Sequence, residues 1–245
     1  EILKSTDGGD SWSIVAIGLA PVAVLSVSRT DAGVVYAGTD DGISRSADGG
    51  TTWASQGPPG RRVISLAGHP TNGDVLYAAS DGGLYKTTDG GATWTLSGLA
   101  GQDVHRVAVA PSDPQVIYAG GHNGVFRSTD GGATWTAINI GLGYLDIGGL
   151  AVSPIDPNTV YVGTGWWQWI PYHGHTYDQP FYGEGIYKTT DGGQHWVKLY
   201  GDFADDDALA VMVDPNDAGT VYVGTACSRG GFRSTDGGLT WGLLP

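Results

Sequence analysis

One eight-residue phrase occurs six times in this chain, with the pattern [Ser/Thr]-x-Asp-Gly-Gly-x-[Ser/Thr/His]-Trp. A phrase that recurs at a nearly constant interval indicates a fold assembled from copies of one small unit. Every copy carries one aspartate and one tryptophan at fixed positions. They are Asp7 and Trp12, Asp48 and Trp53, Asp89 and Trp94, Asp130 and Trp135, Asp191 and Trp196, and Asp236 and Trp241.

Each unit reads as four short strands, because apolar runs alternate with turn residues and no run has apolar residues at helical spacing. In one unit these runs are 104–111, 116–121, 125–130 and 133–139. A four-stranded antiparallel meander of about 41 residues has the size of a propeller blade. The sequence therefore predicts an all-β fold, a β-propeller of four-stranded antiparallel blades that forms a single domain over 1–245.

The blade units are not all complete. A hairpin at 1–17 supplies only a third and a fourth strand, and five complete blades follow at 22–56, 63–97, 104–139, 146–199 and 207–245. A complete ring would have six or seven blades. Because an unpaired strand edge invites aggregation, we expect a further segment, a neighbouring subunit or a compact closure at the N-terminal blade.

The repeated phrase has a mechanical interpretation. Two adjacent glycines permit positive φ and favour a hairpin turn, and the aspartate can accept hydrogen bonds from the backbone of that turn. The tryptophan is expected to bury its ring between neighbouring sheets. We therefore interpret the six aspartates and six tryptophans as structural residues.

This phrase resembles the Asp-box, or BNR repeat, of sialidases, xyloglucanases, sortilin-type receptors and photosystem II assembly factors. The resemblance covers the whole chain and implies a β-propeller in which the phrase forms the turn between the third and fourth strands. It also implies that ligands bind at the opposite end of the blades. It implies no particular activity, since these relatives share a scaffold and not a chemistry.

One blade is interrupted. Successive phrase aspartates are 41, 41, 41, 61 and 45 residues apart, and the long interval contains an insertion at 165–185. The insertion follows the second strand of its blade, so we expect it at the end opposite the phrase, where it would bind a ligand. The predicted ligand-binding residues are its aromatic side chains: Trp166, Trp167, Trp169, Tyr172, Tyr177, Phe181 and Tyr182.

Three interpretations of the insertion remain open. Its aromatic rings could pack on one another and close the mouth of the channel. They could stack on the sugar rings of a neutral glycan, or anchor a partner protein, since tryptophan and tyrosine dominate interface hot spots. In the glycan case, the hydroxyl groups would be bonded by Gln168, Asp178, Gln179 and Glu184.

Acidic residues gather at the same predicted end, so a glycoside hydrolase is the alternative function, working through a pair of carboxylates. The catalytic candidates are Asp178, Glu184, Asp202, Asp205, Asp206 and Asp207. Asp103, Asp146 and Asp207 hold equivalent positions before a first strand, where Arg62 stands in another blade. Such acids could share a Ca²⁺ ion; otherwise no cofactor is expected.

Two further patterns concern metals and membranes. His173 and His175 form an H-x-H pair, to which the sequence adds no recognisable third metal ligand. Cys227 is the only cysteine, so no internal disulfide forms. No apolar run approaches the ~20 residues of a membrane span, and we expect no membrane insertion and an extracellular or periplasmic location.

Charge and family resemblance both favour binding over catalysis. The net charge of −13 disfavours nucleic acid. A sialidase would need an arginine triad and an Arg-Ile-Pro segment, and the latter is absent; the xyloglucanase family places its two catalytic acids on two propellers. We predict a non-catalytic propeller that contacts a neutral glycan or a partner protein, with an accessory subunit of a larger complex as a second alternative.

Six of the basic residues occupy one repeated position before each phrase and do not form a binding patch: Lys4, Arg45, Lys86, Arg127, Lys188 and Arg233.

Overall fold

A computed structural model provides the structure and describes residues 1–16, 18–58, 60–165, 183–201, 203, 207–226 and 230–244. Regular structure in these ranges is entirely β-strand. The strands divide into two compact units, Glu1–Val107 and Ala108–Pro245. The all-β prediction is confirmed, whereas the single domain over 1–245 stays a prediction.

The first unit begins with a two-stranded sheet, β1 (Ile2–Lys4) and β2 (Ser13–Ala16), which is the hairpin expected from the sequence. Two four-stranded sheets follow, each ordered as in the chain. They are β3 (Val22–Val27), β4 (Val35–Thr39), β5 (Gly42–Ser46) and β6 (Ala54–Gln56), then β7 (Val63–Gly68), β8 (Leu76–Ser80), β9 (Gly83–Thr87) and β10 (Thr95–Leu96).

Three more four-stranded sheets complete the order of elements, and the first strand of the first one, β11, crosses the boundary between the units. That sheet has β11 (Val104–Val109), β12 (Ile117–Gly121), β13 (Gly124–Ser128) and β14 (Thr136–Ala137). The next has β15 (Ile147–Val152), β16 (Val160–Thr164), β17 (Ile186–Thr189) and β18 (Val197–Lys198). The last has β19 (Ala208–Val213), β20 (Val221–Thr225), β21 (Gly231–Ser234) and β22 (Gly242–Leu243).

The second strand of each blade is the most buried one, and a tyrosine near its start is its largest side chain. All five residues of β8, β12 and β16 are buried. The tyrosine packs its ring into the core, and the hydroxyls of Tyr36, Tyr118 and Tyr161 donate to backbone carbonyls. In the first four complete blades it is exposed by no more than 1%: Tyr36, Tyr77, Tyr118 and Tyr161.

Glycine near the end of that strand allows the next blade to approach closely. A Cβ atom on Gly163 would lie 2.1 Å from the carbonyl oxygen of Ala208, and one on Gly38 would lie 2.7 Å from that of Val63. Real Cβ atoms do not approach so near, so the missing side chain is what lets β16 pack on β19. The close packing fixes where β16 ends, which is where the insertion begins.

Candidate functional site

The repeated phrase forms the same hydrogen-bonded turn in every copy. In the copy at Asp130, Ser128 Oγ donates to Asp130 Oδ1 (2.7 Å) and accepts from Gly132 N (2.9 Å). Thr134 donates its backbone N–H to Oδ1 (2.9 Å) and its hydroxyl to Oδ2 (2.6 Å). The other five aspartates have the same three partners: Asp7, Asp48, Asp89, Asp191 and Asp236.

These donors stabilise the charged carboxylates. Hydrogen bonds from the side chain and then the backbone of Thr52 lower the pKa of Asp48 from 3.8 to about 2, and those from Thr93 do the same for Asp89. The pKa values of the other four phrase aspartates are also lowered, with hydrogen bonds as the leading cause. Each carboxylate therefore accepts its hydrogen bonds within its own turn.

The tryptophans differ more than the sequence suggests. Trp135 donates its indole N–H to the carbonyl of Gly132 in its own turn (3.1 Å). Trp196 is 4% exposed and donates instead to Ile138 O in the preceding sheet (2.6 Å). Trp12 is 62% exposed. The expectation that every phrase tryptophan buries its ring is therefore wrong for Trp12.

The basic residue before the phrase lies over a tyrosine of its own blade, and Lys188 also reaches the next phrase turn. Lys188 Nζ lies 5.1 Å from the centre of the Tyr161 ring and donates to Gly237 O (2.9 Å). Tyr161 donates its hydroxyl to the same carbonyl (3.1 Å). The cation–π contact recurs in the other complete blades: Arg45 with Tyr36, Lys86 with Tyr77, Arg127 with Tyr118 and Arg233 with Tyr222.

Backbone hydrogen bonds show which loops share an end of each sheet. Gly192, in the phrase turn after β17, donates to Asn158 O in the turn between β15 and β16 (3.0 Å). The connection from β16 to β17 therefore lies at the opposite end of that sheet. The same bond occurs from Gly49 to Gly33, Gly90 to Asp74, Gly131 to Gln115 and Gly237 to Gly219.

The insertion is held at both ends where it meets the sheet. Thr164, the last residue of β16, donates its hydroxyl to Gly185 O (3.1 Å) and accepts from Glu184 N (2.8 Å). Gly183 N donates to Asp207 Oδ1 (2.6 Å). The predicted ligand-binding residues and the pair His173 and His175 fall in 166–182, outside the described residues; so does Asp178.

In two blades the residue before the first strand reaches back to the preceding blade. In the first unit, Arg62 Nε lies 3.1 Å from Asp40 Oδ1, in the turn between β4 and β5. In the second unit, Asp146 Oδ1 lies 2.5 Å from His122 Nδ1, in the turn between β12 and β13. These side chains tie neighbouring blades together, and the shared Ca²⁺ ion stays a prediction.

Asp207 occupies that position in the last blade and is buried, with 1% exposure. Its carboxylate lies against both ends of the insertion. A Cβ atom on either Gly165 or Gly183 would be 2.3 Å from Asp207 Oδ1. The other members of the acidic run, Asp202, Asp205 and Asp206, fall outside the described residues. Asp103, the remaining acid of the series, lies 3.5 Å from His105 Nε2.

Glu184 is already engaged by a tyrosine. The hydroxyl of Tyr187 donates to Glu184 Oε2 and accepts from Gly143 N (3.3 Å). Burial, and then the hydrogen bond to Glu184, raises the pKa of Tyr187 to about 12. Tyr187 therefore stays protonated, and the two side chains join the base of the insertion to the loop between β14 and β15.

The sequence analysis did not identify Phe203 as a core residue. Phe203 is fully buried, with its ring centre 4.9 Å from that of Phe232 and 5.0 Å from that of Trp241. The available signal was that Phe203 is the one large apolar residue in 201–207.

Comparisons with known proteins agree with this architecture. The family model for the BNR/Asp-box repeat matches residues 126–137, and no curated protein matches the sequence. The chain is similar in structure to an ancestral GH74 enzyme, with a TM-score of 0.79 and 22% identity over 94% of this chain and 33% of that one. In the described residues we find no helix with the length and hydropathy needed to cross a membrane.

Two further solved structures are similar. A GH74 enzyme from Niastella koreensis has a TM-score of 0.76 and 22% identity over 98% of this chain and 42% of that one. The GH74 xyloglucanase from Xanthomonas campestris has a TM-score of 0.67 and 20% identity over 91% and 38%. The chain thus spans less than half the length of these enzymes. The chain therefore has the β-propeller fold of these structures, with one BNR/Asp-box repeat matched at 126–137.

Proposed function

We propose that this propeller is a binding protein whose insertion contacts a neutral glycan. The observation that carries the proposal is the position of the insertion. Both of its ends are fastened to the sheet at the end opposite the phrase turn, by Thr164 and Asp207. A segment with seven aromatic residues that the other blades lack, held on such a base, is suited to present rings to a ligand.

The chemistry of the segment favours a neutral sugar. Aromatic faces stack on the apolar faces of pyranose rings, and Gln168, Asp178 and Gln179 supply polar groups for the hydroxyls. The net charge of −13 disfavours an anionic polymer. One similar solved structure is a xyloglucanase, so xyloglucan is the first glycan to test. A polysaccharide ligand fits an extracellular or periplasmic protein.

The described carboxylates support binding over hydrolysis. A general acid or base must be free to exchange a proton with the substrate. Asp207 is buried against the backbone of the insertion, and Glu184 accepts from Tyr187. A glycoside hydrolase remains the second candidate because the chain shares its fold with GH74 enzymes; it would depend on Asp178 or on 202–206.

The test is affinity electrophoresis and calorimetry with xyloglucan and other neutral polysaccharides. The triple variant Trp166/Trp167/Trp169→Ala should lose binding at least ~10-fold, because each stacked ring contributes about 1 kcal/mol or more. Trp12→Ala is the matched control, since it truncates an exposed tryptophan outside the insertion. Equal loss in both variants, or no binding by the unmodified protein, would reject the glycan.

Two other outcomes identify the alternatives. Release of reducing ends from the polysaccharide, abolished by Asp178→Asn or by Asp202→Asn, would establish hydrolysis. Failure of every glycan, together with a stoichiometric complex with one protein that the triple variant cannot form, would identify a partner-binding or accessory subunit.

A further inference from the structure

The carboxylate of Asp207 stands between the two ends of the insertion. Gly165 follows β16 directly and Gly183 precedes β17, and both approach Asp207 Oδ1 so closely that neither could carry a side chain there without a shift. Gly183 N donates to this oxygen at 2.6 Å. Charge-assisted bonds of this kind, buried from water, are the strong ones.

One backbone hydrogen bond holds Asp207 within its own sheet, and another holds Gly165 to Asp146. Ala226 N donates to Asp207 O (3.1 Å), and Gly165 N donates to Asp146 O (2.9 Å). Asp207 is thus held by its own sheet as well as by its bond to Gly183.

The equivalent residues in two other blades make different contacts. Arg62 and Asp146 pair with a side chain of the preceding blade, Asp40 and His122 respectively. Asp207 instead receives a backbone N–H, at the blade where the connection is longest. At this position Asp207 thus meets the backbone of the preceding blade at Gly183.

We propose that Asp207 is a positioning residue for the insertion: it sets the separation and direction of the two ends and thereby the presentation of the aromatic segment. Only the expected effect on ligand affinity rests on the proposed function. Asp207 touches no ligand in this scheme. It was a catalytic candidate on sequence grounds, and its burial gives it this other role.

The first measurement uses the unmodified protein. Hydrogen exchange should find the amide of Gly183 protected in the folded chain at neutral pH, because its acceptor is a buried carboxylate. Exchange at the rate of an open peptide would overturn the proposal without any variant being made.

The second measurement is limited chymotrypsin digestion, which reports cleavage after the aromatic residues of 166–182. Asp207→Ala should raise that rate about tenfold, the ratio expected from losing one buried charge-assisted hydrogen bond. Asp207→Asn should restore most of the protection, because its amide oxygen can accept from Gly183 N. Asp146→Ala is the matched control at the equivalent position and should leave this cleavage unchanged.

The outcomes separate the two proposals. If the insertion of Asp207→Ala is cleaved no faster, or if Asp146→Ala accelerates the same cleavage equally, Asp207 has no positioning role. If the digestion pattern is as expected but the unmodified protein binds no glycan, the glycan is rejected and the positioning role stands. If the unmodified protein binds glycan and Asp207→Ala binds it equally well despite faster cleavage, the role in presenting the segment is rejected.

Discussion

The two ends of a blade differ in how closely their side-chain contacts repeat from one blade to the next. At the end with the phrase turn, six copies repeat the same three partners for their aspartate, down to Oδ1 and Oδ2. At the other end the side-chain contacts differ from blade to blade. Arg62 pairs with Asp40, Asp146 pairs with His122, and Asp207 takes a backbone N–H. Repetition marks the end that builds the scaffold, and variety marks the end at which we propose that a ligand binds.

This difference has a physical origin. The phrase turn satisfies its polar groups internally, so it can be copied into any blade without regard to neighbours. The opposite end must connect blades whose loops differ in length, and its contacts are made between loops. A change at the phrase end should thus act on stability alone, whereas a change at the other end can also act on the insertion.

The largest effect is expected beneath the insertion. Strands β16 and β20 both read VYVGT. A Cβ atom at Gly163 would lie 2.1 Å from Ala208 O, while at Gly224 the nearest atom would be 3.4 Å away. Gly163→Ala should lower the free energy of unfolding by about 3 kcal/mol, as overpacking does. Gly224→Ala should change it by less than about 0.5 kcal/mol, measured by denaturant titration.

Equal effects from these two glycine variants would mean that β16 and β19 are not as tightly packed as the structure has them. The insertion would then lack its rigid base. A large loss of stability confined to Gly163→Ala would instead show that the contact between Gly163 and Ala208 leaves no room for a methyl group.

The fold could be read from the sequence because its signals are local. The interval between phrase aspartates and the apolar runs in 104–139 predict the strands and the turn directly. The base of the insertion could not be read in this way. Asp207 and Gly183 are far apart in the chain, and nothing near Asp207 indicates that its carboxylate faces a backbone N–H. Phe203 was missed for the same reason, since its partners Phe232 and Trp241 come from later strands.

A smaller loss in the free energy of unfolding is expected from changes at the phrase end. Ser128 is buried, donates to Asp130 and accepts from Gly132 N. Ser128→Ala leaves that N–H without its acceptor and should lower the free energy of unfolding by about 2 kcal/mol. Ser5 makes the same bonds in a more exposed turn, and Ser5→Ala should lower it by about 0.5 kcal/mol. Glycan affinity should not change in either variant, and a change in affinity would contradict the separation of the two ends.

The links between blades should contribute less again. Lys188→Met removes both the cation–π contact with Tyr161 and the bond to Gly237 O, and we expect a loss of about 1 kcal/mol. Arg233 also lies over a tyrosine ring, Tyr222, but on an exposed surface. Arg233→Met should therefore cost about half as much. If thermal melts rank the two variants in the reverse order, the bond to the next phrase turn adds nothing.

The smallest contribution per residue comes from the charges of the phrase aspartates, which water screens. The pKa of Asp48 is about 2 in the folded chain, against an ordinary value of 3.8. Because the unfolded chain takes up the proton first, this contribution is full above about pH 5 and declines as the pH falls from about 4 towards 2. The melting temperatures of Asp48→Asn and of the unmodified protein should accordingly differ at pH 7 and converge at pH 2. A difference that stays constant over this range would show that the aspartate acts through the shape of its hydrogen bonds and not through its charge.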